Sequence, residues 1–294
     1  MRLSEIPSAL VRHVVRDSAF ASLGFVTHRR SGLLVFIDND AFLPALRENA
    51  LVTCVLTTEA FADRVPSTMG LGLVDDARAA FYDVHEHLVH NTAFYGIAQP
   101  TRVAPTARIH ESAVIAPTNV VLREHVEIGP RVVVLSGVDV GEGSVIRAGT
   151  VVGSEGFQVL MTNGQSRRVT HAGRVVIGQR VDIHSNCCVD RSVFADTVIG
   201  ADTTIDNLVH VAHDVTIGRH CRIVAHAMIA GSARIGDGAW IGPCASISSG
   251  VNVGAGAYVT MGSVVTRDVE PSAHVTGNFA IDHERYLEFL RTIR

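Results

Sequence analysis

The chain has 294 residues, 47% of them hydrophobic, which is enough for a substantial core in one large domain or two. All 25 basic residues are arginine, so Schiff-base or general-base chemistry on a lysine is excluded. The formal net charge of −4 argues against a general nucleic-acid or anionic-membrane surface. Glu5 and Arg12 punctuate the N-terminus, and no apolar stretch is long enough to span a bilayer, so the expectation is a cytoplasmic protein without an integral membrane segment.

Residues 1–98 read as a small α/β domain. LLVFI (33–37) and LVTCVL (51–56) have the character of strands, and AFLPALREN (41–49) and DARAAFYDVHEHL (76–88) have helical apolar spacing. IAQPTRVAPTAR (97–108) supplies a proline-bearing boundary to a second domain, placed at 99–275. There an isoleucine or valine recurs every sixth residue from Ile199 through Ile205, Val211 and Ile217 to Val265. A second row of small or β-branched residues, among them Thr203, Val209, Cys221, Ala227 and Ala239, runs two positions upstream. Neither a helix nor a plain sheet has period six, whereas a short strand and a turn repeated three times per coil does, which predicts a parallel β-helix. Glycines directly after the strands, such as Gly200, Gly218 and Gly236, are expected to adopt positive φ there. An insertion at 154–174 interrupts the repeat and should leave it as a loop at one corner. The tail, 276–294, closes with one amphipathic helix carrying Tyr286, Phe289, Leu290 and Ile293, with Asp282 as N-cap.

Outward positions of the repeat include Met228, Trp240 and Tyr258, residues better placed against another chain than in water, so a homotrimer is expected. The five cysteines show no CxxC or zinc spacing; no role is assigned to Cys187 or Cys188, and no metal site is expected. Reactive side chains gather in IDNLVHVAHDVTIG (205–218). His213 in a turn is the candidate general base, with His210, Asp206, Asn207 and Asp214 as candidate support. Sequence neighbours do not usually hydrogen-bond as a dyad, so Asp214 is not automatically the partner of His213.

With GSEGF (153–157), GRVVIGQRVDI (173–183), VDRS (189–192), IDN (205–207) and VAHDVTIG (211–218) in order, the whole chain resembles the UDP-3-O-acylglucosamine N-acyltransferases of lipid A biosynthesis. The resemblance implies a left-handed hexapeptide β-helix, a uridine-binding N-terminal domain, a helical tail and a trimer. It also implies transfer of a 3-hydroxyacyl group from acyl carrier protein to the 2-amino group of a UDP-sugar. No tightly bound cofactor is implied, the donor being the carrier's phosphopantetheine thioester. The family's base falls on His213. Its uracil-holding Phe-x-x-Asn-x-x-Tyr segment falls on Phe36, Asn39 and Phe42, with phenylalanine in place of tyrosine. Phe157, Arg167 and Arg168 of the insertion are candidate donor-binding residues.

Two departures matter. Gly250 stands where the family has a second histidine, and the tail offers one helix where the family usually has more. GAGAYVTMGSVVTRDVEPSAHVTGN (254–278) resembles instead the final coils of CoA-dependent sugar acetyltransferases, where Arg267 can meet CoA phosphates. An acetyl-CoA- or short-acyl-CoA-dependent N-acetyltransferase of a nucleotide-linked amino sugar is therefore the second reading. A non-catalytic nucleotide-sugar-binding paralogue is the third.

Overall fold

The computed structural model describes residues 1–162, 164–277 and 282–292. The chain divides into two compact units: residues 1–100 together with 155–174 and 191–197, and residues 101–154, 175–190 and 198–294.

The first unit is built on a five-stranded sheet. β1 (His13–Arg16), β2 (Ser22–Leu23), β3 (Leu33–Ile37), β4 (Val52–Thr57) and β5 (Gly70–Leu73) lie in the order β1-β5-β4-β3-β2, with only β1 antiparallel. The parallel strands β3 and β4 are almost wholly buried, as their unbroken apolar sequences require. α1 (Leu43–Glu48) and α2 (Ala77–Asn91) follow, and the Asp76 carboxylate caps α2 by accepting from the N–H groups of Arg78 and Ala79. The sequence expectations for both strands and for the first helix are met within two residues, and the second helix runs three residues beyond its expected end, to Asn91.

The insertion is not a free loop. Val159–Thr162 and Gln165–Arg168 pair as antiparallel strands, and side chains along α2 hold the segment. Gln158 donates to the Tyr82 hydroxyl, Arg167 pairs with Asp83 at 2.6 Å, and Glu86 accepts from both the N–H and the hydroxyl of Thr170. Fully buried His85 lies between them, with Nε2 2.7 Å from the Thr170 carbonyl and Nδ1 2.7 Å from the Tyr95 hydroxyl. A carbonyl only accepts, so Nε2 carries the proton and Nδ1 accepts from Tyr95. Burial pushes the His85 pKa below its ordinary 6.5.

The second unit is a parallel β-helix of hexapeptide coils, with three parallel sheets of nine, eight and eight strands among the described residues. Neighbouring coils stack in a register of eighteen residues through this stretch, as in Thr204↔Arg222 and Ile205↔Ile223. Both predicted rows point inward: Ile205, Ile223, Ile229 and Ile241 are at most 1% exposed, and Ala227, Ala233, Ala239 and Ala245 fill the space between them. Inward hydroxyls are satisfied by the next coil. Thr203 donates to the Gly218 carbonyl and accepts from the Cys221 N–H, and Thr150 does the same with His184 and Cys187.

The role expected for the strand-following glycines needs correction. Positive φ occurs three residues past Ile205, Val211, Ile217, Ile223 and Ile229, at Leu208, Asp214, His220, His226 and Ser232, and not at Gly200 or Gly218. A Cβ on Gly200 would sit 2.5 Å from the backbone of Gly218 in the next coil, so glycine is needed there for close stacking of coils. The C-terminal helix spans His283–Thr292, and Asp282 caps it by accepting from the N–H groups of Glu284 and Arg285. Ile293, assigned to its apolar face, lies outside the described residues.

Truncating one inward rung, Ile223→Ala, should cost about 2–5 kcal/mol of stability in chemical denaturation. His85 makes a second prediction. The unfolded imidazole binds a proton below about pH 6.5 and the buried one resists it, so its contribution is complete above pH 6.5 and is lost on acidification. Hydrogen-exchange protection of α2 should therefore fall between about pH 7 and about pH 5 in the native chain. The fall should be smaller in His85→Leu.

Candidate active site

His213 sits in the turn after the strand His210–Val211, and Asp214 is the next turn residue. Asp214 has φ +61°, a left-handed conformation that aspartate tolerates better than most residues. Its carboxylate Oδ2 lies 2.8 Å from His213 Nδ1, and both side chains are nearly buried. Sequence neighbours do not usually pair in this way, and here the pair forms at an αL turn. An ionised carboxylate is an acceptor only, so Nδ1 carries the ring proton and Nε2 carries the lone pair. This is the tautomer a general base needs.

Gly231, one coil further on, makes room for the ring: a Cβ there would lie 2.8 Å from Cε1 and 2.9 Å from Nε2 of His213. The sequence reading missed Gly231, although the coil-to-coil register points to it, since it stands eighteen residues beyond His213.

Asp206 and Asn207 are occupied elsewhere. Asp206 accepts from the backbone N–H groups of Asn207 and Ala225, and Asn207 accepts from that of Ser185, so both staple a turn between coils. His210 stands outward on its strand, its ring Nε2 3.7 Å from Asp190 Oδ2. It pairs in register with Cys188. Burial pushes the Cys188 thiol above its ordinary range, the Ser154 hydroxyl opposes this, and the Asp190 charge adds to it. A bare thiol so placed is a poor nucleophile.

In the first unit, Phe36 is half-buried among Phe25, Phe81 and Tyr82, with the Arg78 guanidinium 5.5 Å over its ring. Asn39 caps the short turn Asp40–Phe42 by accepting from the Ala41 N–H, and Phe42 is exposed. A cavity of about 320 Å³ in the same unit is lined by Arg30, Phe94, Tyr95, Arg174 and Asp196 among others, and by none of Phe36, Asn39 or Phe42. Phe157 is 89% exposed, Arg167 is engaged with Asp83, and Arg168 and Arg267 are exposed. Gly250 is a turn glycine at φ +73° with open space around it.

Residues 119–154 and 196–231 match the bacterial transferase hexapeptide family (six repeats), and residues 232–267 match the hexapeptide repeat of succinyl-transferase. A UDP-3-O-acylglucosamine N-acyltransferase of Maricaulis maris (strain MCS10) is 41% identical over 44 residues, which is 15% of this chain and 13% of the relative's length. Among solved structures, a UDP-N-acetylglucosamine acyltransferase is 24% identical, over 65% of this chain and 79% of that one, with a TM-score of 0.49. LpxA from Acinetobacter baumannii is 23% identical over 66% and 76%, with a TM-score of 0.47. PerB from Caulobacter crescentus, solved with CoA and GDP-perosamine, is 18% identical over 81% and 73%, with a TM-score of 0.21. The matched segments lie along the coils of the β-helix, which carry hexapeptide repeats of the kind those two families describe.

Because the coil backbone is held by its neighbours, the methyl group of Gly231→Ala must displace the imidazole. Any rate that depends on His213 should drop by about a hundredfold while the thermal unfolding midpoint stays near that of the native chain. An unchanged rate would mean that the ring position is not critical.

Proposed function

We propose that the chain transfers an acyl group from a thioester donor to the 2-amino group of a UDP-3-O-acylglucosamine-like nucleotide sugar, with His213 as general base. The observation that carries this reading is the His213–Asp214 pair, whose hydrogen bond leaves Nε2 as the basic atom, on a hexapeptide β-helix. The 44-residue match to a UDP-3-O-acylglucosamine N-acyltransferase supports the choice of acceptor and of N-acylation.

The mechanism is direct attack. Nε2 of His213 takes a proton as the sugar nitrogen bonds to the thioester carbonyl carbon, and Asp214 stabilises the imidazolium that forms. The tetrahedral intermediate then collapses with cleavage of the carbon–sulfur bond, and the imidazolium returns its proton to the departing thiolate. A backbone N–H at a turn holds the oxyanion in between. No acyl-enzyme is needed, which accords with the raised pKa of the Cys188 thiol.

The proposed donor is a 3-hydroxyacyl group on acyl carrier protein, with no tightly bound cofactor, and Phe36, Asn39 and Phe42 are the proposed uracil contacts. Trimerisation is part of the reading, because Met228 and Tyr258 are about 40% exposed on coil faces. The match of 232–267 to a succinyl-transferase repeat favours a second reading, a short-acyl-CoA donor held by exposed Arg267.

Thiol release with a UDP-3-O-acylglucosamine acceptor, comparing 3-hydroxyacyl carrier protein with acetyl-CoA, tests the assignment. Turnover with the carrier protein alone is the expected result. Turnover with acetyl-CoA alone would transfer the protein to the second reading, and silence with both would reject the acceptor.

A further inference from the structure

On the β-helix, three side chains of different chemistry converge outside the His213–Asp214 pair. Cys188 and Asp190 are two residues apart on the strand Cys188–Arg191, so strand alternation turns both to the outer side while Val189 between them is fully buried. His210, the register partner of Cys188 on the adjacent strand, stands beside them. One donor atom from each of the three lies within 4.8 Å of the other two. Cys188 Sγ is 3.4 Å from Asp190 Oδ1, and His210 Nε2 is 3.7 Å from Asp190 Oδ2.

These separations have a chemical meaning. Zinc–ligand bonds of about 2.0–2.3 Å at a tetrahedral angle put two donors about 3.3–3.6 Å apart, close to the sulfur–oxygen and nitrogen–oxygen separations here. Asp190 is 5% exposed, and its carboxylate is oriented from behind, because the Ser154 hydroxyl donates to its Oδ1 at 2.6 Å. This is the outer contact expected of a ligating carboxylate. The Oδ2 atom is left toward His210. All three side chains project from adjacent strands of one sheet, so their spacing is set by the coil register and not by a mobile loop. The absence of CxxC spacing gave no hint of this, since two of the ligands lie on one coil and the third on the next.

We propose that Cys188, Asp190 and His210 form a binding site for one divalent cation of the zinc class. Three protein donors leave a fourth position for water or another ligand, the pattern of an open rather than a closed zinc site. On binding, the Cys188 S–H bond breaks, the sulfur pair bonds to the cation, and one proton leaves to solvent. The proposal does not depend on the acyl-transfer reading, because its readouts are spectroscopic and thermodynamic.

The test uses the full chain without a histidine tag, stripped with chelator and titrated with Co²⁺ alone. The expected result is one cation per chain, a thiolate-to-cobalt charge-transfer band, and one proton released. Cys188→Ser should abolish the band, and His210→Gln and Asp190→Asn should each weaken binding at least tenfold. Ser154→Ala should weaken it by about 10–100-fold, as loss of an outer-sphere contact does. His213→Ala should keep both band and stoichiometry. A band that survives Cys188→Ser, or cobalt binding with no charge-transfer band in a chain whose circular dichroism is native, would overturn the proposal. Should Cys188→Ser fail to fold, competition between Zn²⁺ and a chromophoric chelator in His210→Gln decides the matter, an unchanged affinity refuting the site.

Discussion

Stacking of one coil on the next, with an inward β-branched residue in every hexapeptide, is the constraint on which the second unit depends. It buries a continuous column of isoleucine and valine, and it brings residues eighteen apart in sequence to neighbouring strands. Everything chemical about this unit inherits that register. Gly231 lies against the His213 ring because it occupies the equivalent turn one coil away, and His210 stands beside Cys188 because their strands are paired.

The same geometry explains how a turn can hold the proposed base. Most turns of the coils hold one residue at positive φ, Leu208, Asp214 and His220 among them. At Asp214 the left-handed backbone brings the carboxylate to Nδ1 of the preceding histidine, so a feature of the coil geometry also sets the imidazole tautomer. The insertion shows the converse. Rather than remaining a free corner loop, it places Gln158, Arg167 and Thr170 against side chains of α2, Arg167 in an ion pair with Asp83.

The β-helix was legible in the sequence because period six is imposed by packing itself, and both inward rows, from Thr203 and Ile205 to Ala257 and Val259, lie where the pattern puts them. The reason for the strand-following glycines was misread, because coil-to-coil contact at Gly200 is a long-range effect with no local signature. The HVAHD segment singled out His213 as the candidate base. Its pairing with Asp214 was not legible there, since it depends on a backbone angle that composition does not reveal. The Cys188–Asp190–His210 cluster was invisible to motif spacing for a related reason: it forms across a strand pairing and has no fixed interval of its own.

The central claim is that Nε2 of His213, set by Asp214, removes the proton from the attacking nitrogen. The most direct test is the single-turnover rate of His213→Ala with 3-hydroxyacyl carrier protein and a UDP-3-O-acylglucosamine acceptor, at saturating concentrations of both. The account predicts a rate lower by about two to four orders of magnitude, in a chain that still binds the nucleotide sugar. A rate within a few-fold of the native chain would contradict it, because the step would then proceed without the group to which the base chemistry is assigned.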